Sequence, residues 1–191
     1  MTRFQRRSIR LKDFDYSETG YYFITICAKN RECLFGGMIN FEMRLNDAGQ
    51  MMEKWWKELN HKFPRVQTDT FAVMPNHFHG IIGLCDVGAA LRGRPGLDAN
   101  IPSSGRPPRG APTLGHIIDW FKTMTTNAYI RGVRQHGWAP FPGQLWQRNY
   151  YERVIRNDDE LFQIRQYIQE NPLKWDLDPE NPRRVETLNY Q

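Results

Sequence analysis

Two histidines separated by one apolar residue, in Met74-Pro75-Asn76-His77-Phe78-His79-Gly80-Ile81-Ile82, are the residues of this chain most able to do chemistry. A strand repeats every two residues, so both imidazoles fall on one face while Phe78 points the other way, into a core. Apolar runs on either side, Phe71 to Met74 and Gly80 to Leu84, put the pair on a central strand or at the mouth of a hairpin. Two neutral imidazoles on one face make half of a divalent-metal site. His-x-His also arises by chance on solvated sheet faces, so the pair needs a further ligand before it means more.

That ligand is sought ninety residues on. Asn157 followed by Glu160 reads as a capping box, and Pro172 stops the helix at Asn171. Leu161, Ile164, Arg165 and Ile168 share the face that packs on the sheet, the Arg165 stem lying along it. Tyr167 and Asn171, one turn apart, stand at the margin of that face, where side chains look into the cleft between helix and sheet. A nucleophile and a metal ligand would occupy such positions; an amphipathic Tyr in water and an Asn closing a helix would too.

At this point the residues carry a family resemblance. His77-Phe78-His79 resembles the His-hydrophobe-His signature of HUH endonucleases. The segments at 20–27, 74–82 and 146–157, with Tyr167-Ile168 and Asn171-Pro172, resemble the single-tyrosine transposases of insertion sequences. Within these the chain is most similar to the REP-associated tyrosine transposases, which act on palindromic single-stranded DNA, and the similarity runs from about Arg6 to Trp175. The resemblance implies that His77 and His79 bind the metal, that Tyr167 is the nucleophile, and that Asn171 is a polar third ligand one turn after it. It implies Mg²⁺ or Mn²⁺ as cofactor and hairpin DNA as partner.

The implied chemistry needs those residue types. A phosphodiester repels nucleophiles through its charged non-bridging oxygens, and a divalent ion on neutral ligands offsets that charge. A tyrosine phenol has a reference pKa near 10 and must lose its proton as it attacks. Attack would leave a 5'-phosphotyrosine and a free 3'-hydroxyl, which conserves the bond for later joining. Tyr150 and Tyr151 are rival nucleophiles, but neither has a metal-liganding partner a helical turn away. With Trp146 they lie in a segment, 143–155, that reads as a strand and whose aromatics could stack on bases or simply pack.

A chain of 191 residues, 40% hydrophobic, supports one core and one domain over 1–191. No apolar stretch approaches a membrane span and the start carries no apolar signal core, which together predict a cytoplasmic protein without membrane contact. Cys27, Cys33 and Cys85 lack C-x-x-C spacing and are expected to be buried reduced thiols. The net charge of +5 is moderate, but its distribution is uneven. Residues 1–12 form a basic arm with Arg6, Arg7, Arg10 and Lys12, suited to phosphate contacts; Arg148 and Tyr150 are candidates for DNA contact in the 146–157 segment. Residues 86–112 hold five Gly, five Pro and four Arg, including Arg92 and Arg94, and no aromatic, which predicts a flexible loop. That loop is either a flap closing on DNA or a tolerated insertion.

The remaining pattern gives the fold. A nearly continuous apolar strand at 20–29 suggests a central position. Asn46 or Asp47 caps a helix with Ala48, Met51, Met52, Trp55 and Leu59 on its face. Strands at 67–74 and 77–84 flank Pro75-Asn76, and Thr113 caps a helix that Gly132 closes. The order predicts an α+β, ferredoxin-like split βαβ palm, an antiparallel sheet with helices on one face, followed by an irregular tail at 176–191. Function then divides between a metal-dependent single-strand DNA endonuclease and strand transferase, a non-catalytic hairpin-binding module of the same fold, and a small-substrate phosphohydrolase, which lacks the carboxylate cluster two-metal hydrolysis needs. Monomer and homodimer both fit.

Overall fold

The structure, a computed structural model, describes residues 15–85 and 112–184. In chain order the elements are β1 (Gly20–Cys27), β2 (Gly36–Ile39), β3 (Glu42–Leu45), α1 (Asp47–Lys62), β4 (Val66–Val73), β5 (His77–Leu84), α2 (Leu114–His136), β6 (Tyr151–Ile155) and α3 (Asp158–Glu170). Short 3-10 segments lie at Lys29–Arg31 and Pro172–Leu177. The main sheet runs β4-β5-β1-β6 with every neighbour antiparallel. With α1 between β1 and β4, and α2 between β5 and β6, this is the α+β split βαβ plan that the pattern predicts.

Alternation along the strands divides the molecule. Tyr22, Ile24 and Ile26 of β1 and Phe78, Ile82 and Leu84 of β5 join Met52 and Trp56 of α1 and Ile118 and Phe121 of α2 in the main core. Trp56 sits against Phe78 and Phe121, ring centroids 4.6 and 5.6 Å away. Gly80 lies under the same indole, where a Cβ would come within 2.5 Å of it, so no larger residue fits without displacing the ring. On the other face Phe23, Ile81 and Ile155 meet Leu161, Ile164 and Ile168 of α3 in a smaller cluster. Thus α1 and α2 share one face, while α3 lies on the face that carries the histidines.

Helix starts follow the capping chemistry. Asn46, Thr113 and Asn157 each accept a backbone N–H two or three residues into their helices, at 2.9, 3.3 and 2.8 Å. At α3 the Glu160 carboxylate returns the bond to the Arg156 N–H, one residue before the cap. Arg165 reaches from α3 to Asp69 of β4, its Nε 2.9 Å from Oδ1, and clamps the helix to the sheet edge.

Several expectations are corrected. The β2–β3 hairpin was not anticipated; its turn places Asn40 and Phe41 at φ 51° and 62°, a left-handed pair that Asn-Gly would announce and Asn-Phe does not. Helix α2 does not close at Gly132 but runs to His136 and ends on Gly137 at φ 68°. Gly132 lies inside the helix, where only glycine fits because the Trp138 indole occupies the place of a Cβ. The strand expected over 143–155 shortens to Tyr151–Ile155, since 143–150 is irregular apart from one Ala28–Trp146 bridge. On α1, Trp56 is the fully buried tryptophan, whereas Trp55 packs partly buried against Trp120. The cysteines are free but not buried: Cys33 is exposed and Cys27 and Cys85 are half-buried. The arm at 1–12 and the loop arginines lie outside the described residues. The tail is described to 184, and its first part is ordered enough to bury Asp178 and Asn181. Among the described residues no helix is long and apolar enough to cross a membrane.

Candidate active site

Strand β5 turns His77 and His79 to the α3 face, both buried, with their Nε2 atoms 3.0 Å apart. Each ring is held from behind through Nδ1. That of His77 lies 2.9 Å from Asn76 Oδ1, and that of His79 lies 2.9 Å from the hydroxyl of Thr25, its cross-strand partner on β1. Burial holds both imidazoles neutral, lowering their pKa values to about 3; for His79 the neighbouring ring adds to this and Asp178 opposes it.

Tyr167 stands where the helix spacing predicts. Its ring packs edge-on against His79 at 5.4 Å and against Phe23 at 6.0 Å, and 44% of the residue remains exposed. Burial and the Asp178 charge raise its pKa, while the Asn171 amide beside the hydroxyl pulls the other way. Asn171 is buried, and its Oδ1 has no hydrogen-bond partner among the described residues, an orphaned acceptor aimed into the protein.

A residue that sequence reasoning missed completes the cluster. Asp178 follows the Pro172–Leu177 turn and is buried, with one carboxylate oxygen 3.7 Å from His77 Nε2. His77 being neutral, this is not an ion pair. Ligand atoms of His77, His79 and Asp178 all lie within 4.8 Å of one another, the one such group among the described residues. Nothing in the tail distinguishes Asp178 from Asp176 or Glu180, so no sequence signal marked it. The segment is fastened over the site: Arg31 pairs with Glu180 at 2.9 Å, Asn76 donates to the Glu180 carbonyl at 2.7 Å, and Trp175 lies over His77 at 6.0 Å.

The donor set fits a divalent cation. Two neutral imidazoles and a carboxylate form a known ligand combination for such ions, and the orphaned Asn171 oxygen is a neutral donor beside the Tyr167 hydroxyl. The cluster opens on a cleft of about 690 Å³ lined by His79, Tyr167, Asp178, Tyr150, Tyr151 and Arg153. Both rival tyrosines therefore border the cleft, Tyr151 half exposed and edge-on to Phe23, Tyr150 packed against the main core. Trp146 is buried, stacks on Phe35 and donates to Thr125 Oγ1 at 3.0 Å, which fixes it as a core residue. Arg148 is exposed; its carbonyl accepts from Lys122 Nζ at 3.0 Å. Arg6, Arg7, Arg10, Lys12, Arg92 and Arg94 lie outside the described residues.

No protein-family model matches the chain. Among solved structures, a REP-associated tyrosine transposase bound to a REP hairpin superposes with a TM-score of 0.56 over 87% of this chain and 74% of that one, at 18% identity, a likeness of fold. An uncharacterized protein of Haemophilus influenzae is 41% identical over 177 residues, 91% of either chain. The chain and that protein belong to one family.

Proposed function

We propose that the chain is a single-domain, metal-dependent single-strand DNA endonuclease and strand transferase, acting on hairpin DNA through a tyrosine-linked intermediate in the cytoplasm. The observation that carries this is the packing of a half-exposed Tyr167 ring edge-on against His79, with Asp178 in the same cleft, His77 within ligand distance of both, and Asn171 beside the phenol. Its fold, shared with a transposase that binds a REP hairpin, supports the same reading. All of these groups come from one chain, so a monomer suffices.

His77, His79 and Asp178 would hold the cation, with Asn171 as a further oxygen donor. A divalent ion there, Mg²⁺ or Mn²⁺, supplies positive charge to a non-bridging phosphate oxygen and offsets the Asp178 charge that raises the phenol. The Tyr167 oxygen forms a bond to phosphorus as the bond from phosphorus to the 3'-oxygen breaks. The phenol proton leaves to solvent and the departing 3'-oxygen takes one up. Asn171 orients the phenol, and Phe23 keeps its ring at the edge of the cleft. Arg6, Arg7, Arg10, Lys12, Arg92, Arg94 and Arg148 would contact phosphates, and Tyr150 would meet a base at the rim.

Incubation with single-stranded hairpin oligonucleotides and Mn²⁺, followed by denaturing gel and peptide mass spectrometry, tests the proposal. A nucleotide adduct on Tyr167 is expected, lost in Tyr167→Phe and on chelation, and kept in Tyr150→Phe and Tyr151→Phe. An adduct that survives in Tyr167→Phe assigns the wrong nucleophile. Tight, chelator-insensitive hairpin binding with no adduct would make this a binding module. Neutralising the basic residues should flatten the salt dependence of binding by about 0.7 in log-log slope per lost phosphate contact.

A further inference from the structure

Asn76 precedes the two histidines, is completely buried, and uses every polar atom of its side chain. Its Nδ2 donates to the Arg31 carbonyl at 3.0 Å and to the Glu180 carbonyl at 2.7 Å. Carbonyl oxygens accept and never donate, so only the amide nitrogen can stand there, and the amide orientation follows from its partners. Oδ1 must therefore be the atom 2.9 Å from His77 Nδ1. An amide oxygen only accepts, which puts the His77 proton on Nδ1 and leaves Nε2 a bare lone pair turned toward His79 and Asp178. The 3.0 Å contact between the two Nε2 atoms then takes its proton from His79 Nε2, with the Thr25 hydroxyl donating to His79 Nδ1. Because a hydroxyl accepts as readily as it donates, Thr25 lets the His79 proton move to Nδ1 when a cation takes the Nε2 lone pair.

The same amide bridges two distant parts of the chain. The carbonyl of Glu180 belongs to the segment that carries Asp178, whose Oδ1 accepts the Glu180 N–H at 2.7 Å. One side chain thus sets the tautomer of the first histidine and the position of the carboxylate that faces it.

We infer that Asn76 is the positioning residue of this site: it fixes His77 as a permanent Nε2 donor to a divalent cation and ties the Asp178 segment in place, while Thr25 lets His79 adjust. The inference rests on the metal-site reading above but needs no DNA chemistry. Where outer partners of ligating histidines have been removed in other proteins, metal affinity typically falls about 10–100-fold, and that range is expected here.

Ring nitrogens of the full chain, labelled with ¹⁵N at histidine, can be observed in chelator and again with Zn²⁺ as a diamagnetic probe, beside calorimetric titration with Mn²⁺. His77 should show a protonated Nδ1 in chelator and in Zn²⁺ alike. In Asn76→Ala, His77 should populate both tautomers in chelator, and Mn²⁺ affinity should fall within the stated range. Asn76→Asp keeps an acceptor for His77 but sets a carboxylate against two carbonyls. It should preserve the His77 tautomer and still weaken Mn²⁺ binding, because the Asp178 segment is released. The native measurement stands even where Asn76→Ala fails to fold. If the native protein binds Mn²⁺ and keeps the His77 tautomer but forms no DNA adduct, the proposed function fails and this inference stands. A proton on His77 Nε2 in the native chain in chelator, no Mn²⁺ binding at all, or an unchanged Mn²⁺ affinity and tautomer in Asn76→Ala would overturn it.

Discussion

The two faces of the main sheet carry different loads. One is covered by α1 and α2 over an aromatic core in which Trp56, Phe78 and Phe121 touch. The other is covered by α3 and the segment that follows it, over a cluster of six buried apolar residues interrupted by His77 and His79. Strand β5 serves both, since alternate residues of His77-Phe78-His79 belong to opposite faces. The first face is mostly apolar, its buried hydrogen bond from Trp146 to Thr125 lying at one side; the second holds two buried imidazoles whose polar atoms must each find a partner. Stability is concentrated where chemistry is absent, and that leaves the thinner face able to keep a half-exposed tyrosine and an open cleft.

This division can be broken from either side. The largest effect is expected from Trp56→Ala, which empties the centre of the first face and should cost about 3–5 kcal/mol of unfolding free energy. Denaturant titration measures it, and Mn²⁺ affinity per folded molecule should remain as in the native chain; a matching loss of affinity would mean the faces are coupled. On the second face His79→Ala should reduce adduct formation by at least about 100-fold, since it removes a ligand outright rather than a supporting group. Its stability cost should stay within about 1–3 kcal/mol, the scale of leaving a buried hydrogen-bonding partner such as the His77 ring unsatisfied.

Acid should act on the second face selectively. Both imidazoles have folded pKa values near 3, below the unfolded value of about 6.5, so the unfolded chain takes up protons first as pH falls. Their contribution is whole above pH 6.5 and is lost on acidification toward 3, by up to about 1.4 kcal/mol per pH unit for each ring. Thermal unfolding in chelator from pH 7 to 4 should show a steeper decline for the native chain than for the variant with both histidines replaced by Ala. Parallel curves would mean the rings titrate normally. The smallest effect belongs to Asp69→Asn, which weakens the half-buried Arg165 clamp between α3 and β4; about 1 kcal/mol or less is expected by calorimetry, with adduct formation retained.

Much of this arrangement was legible in the sequence because it depends on periodicity. His77 and His79 at i and i+2, Tyr167 and Asn171 at i and i+4, and the capped helices all lie where spacing puts them. What escaped depends on close approach between distant residues. Gly132 reads as a helix end until Trp138 is seen to lie on it, and Asn40-Phe41 conceals a hairpin because its turn uses a left-handed phenylalanine. Trp56 and Trp55 are neighbours of equal hydrophobicity, and only the helix phase set by Phe78 and Phe121 selects the former. Asp178 was hidden for a similar reason: its role comes from a strap held by Arg31 and Asn76, residues more than a hundred positions away.

The alternation in β5 also bears on how this gene can change. Deleting or inserting one residue between Val73 and His77 would invert the strand, driving two imidazoles against Trp56 and turning Phe78 outward. Length variation in that turn is therefore a folding defect before it is a catalytic one. Substitutions can silence the histidines one at a time, but the spacing that carries them is protected by the same frame that holds the core together.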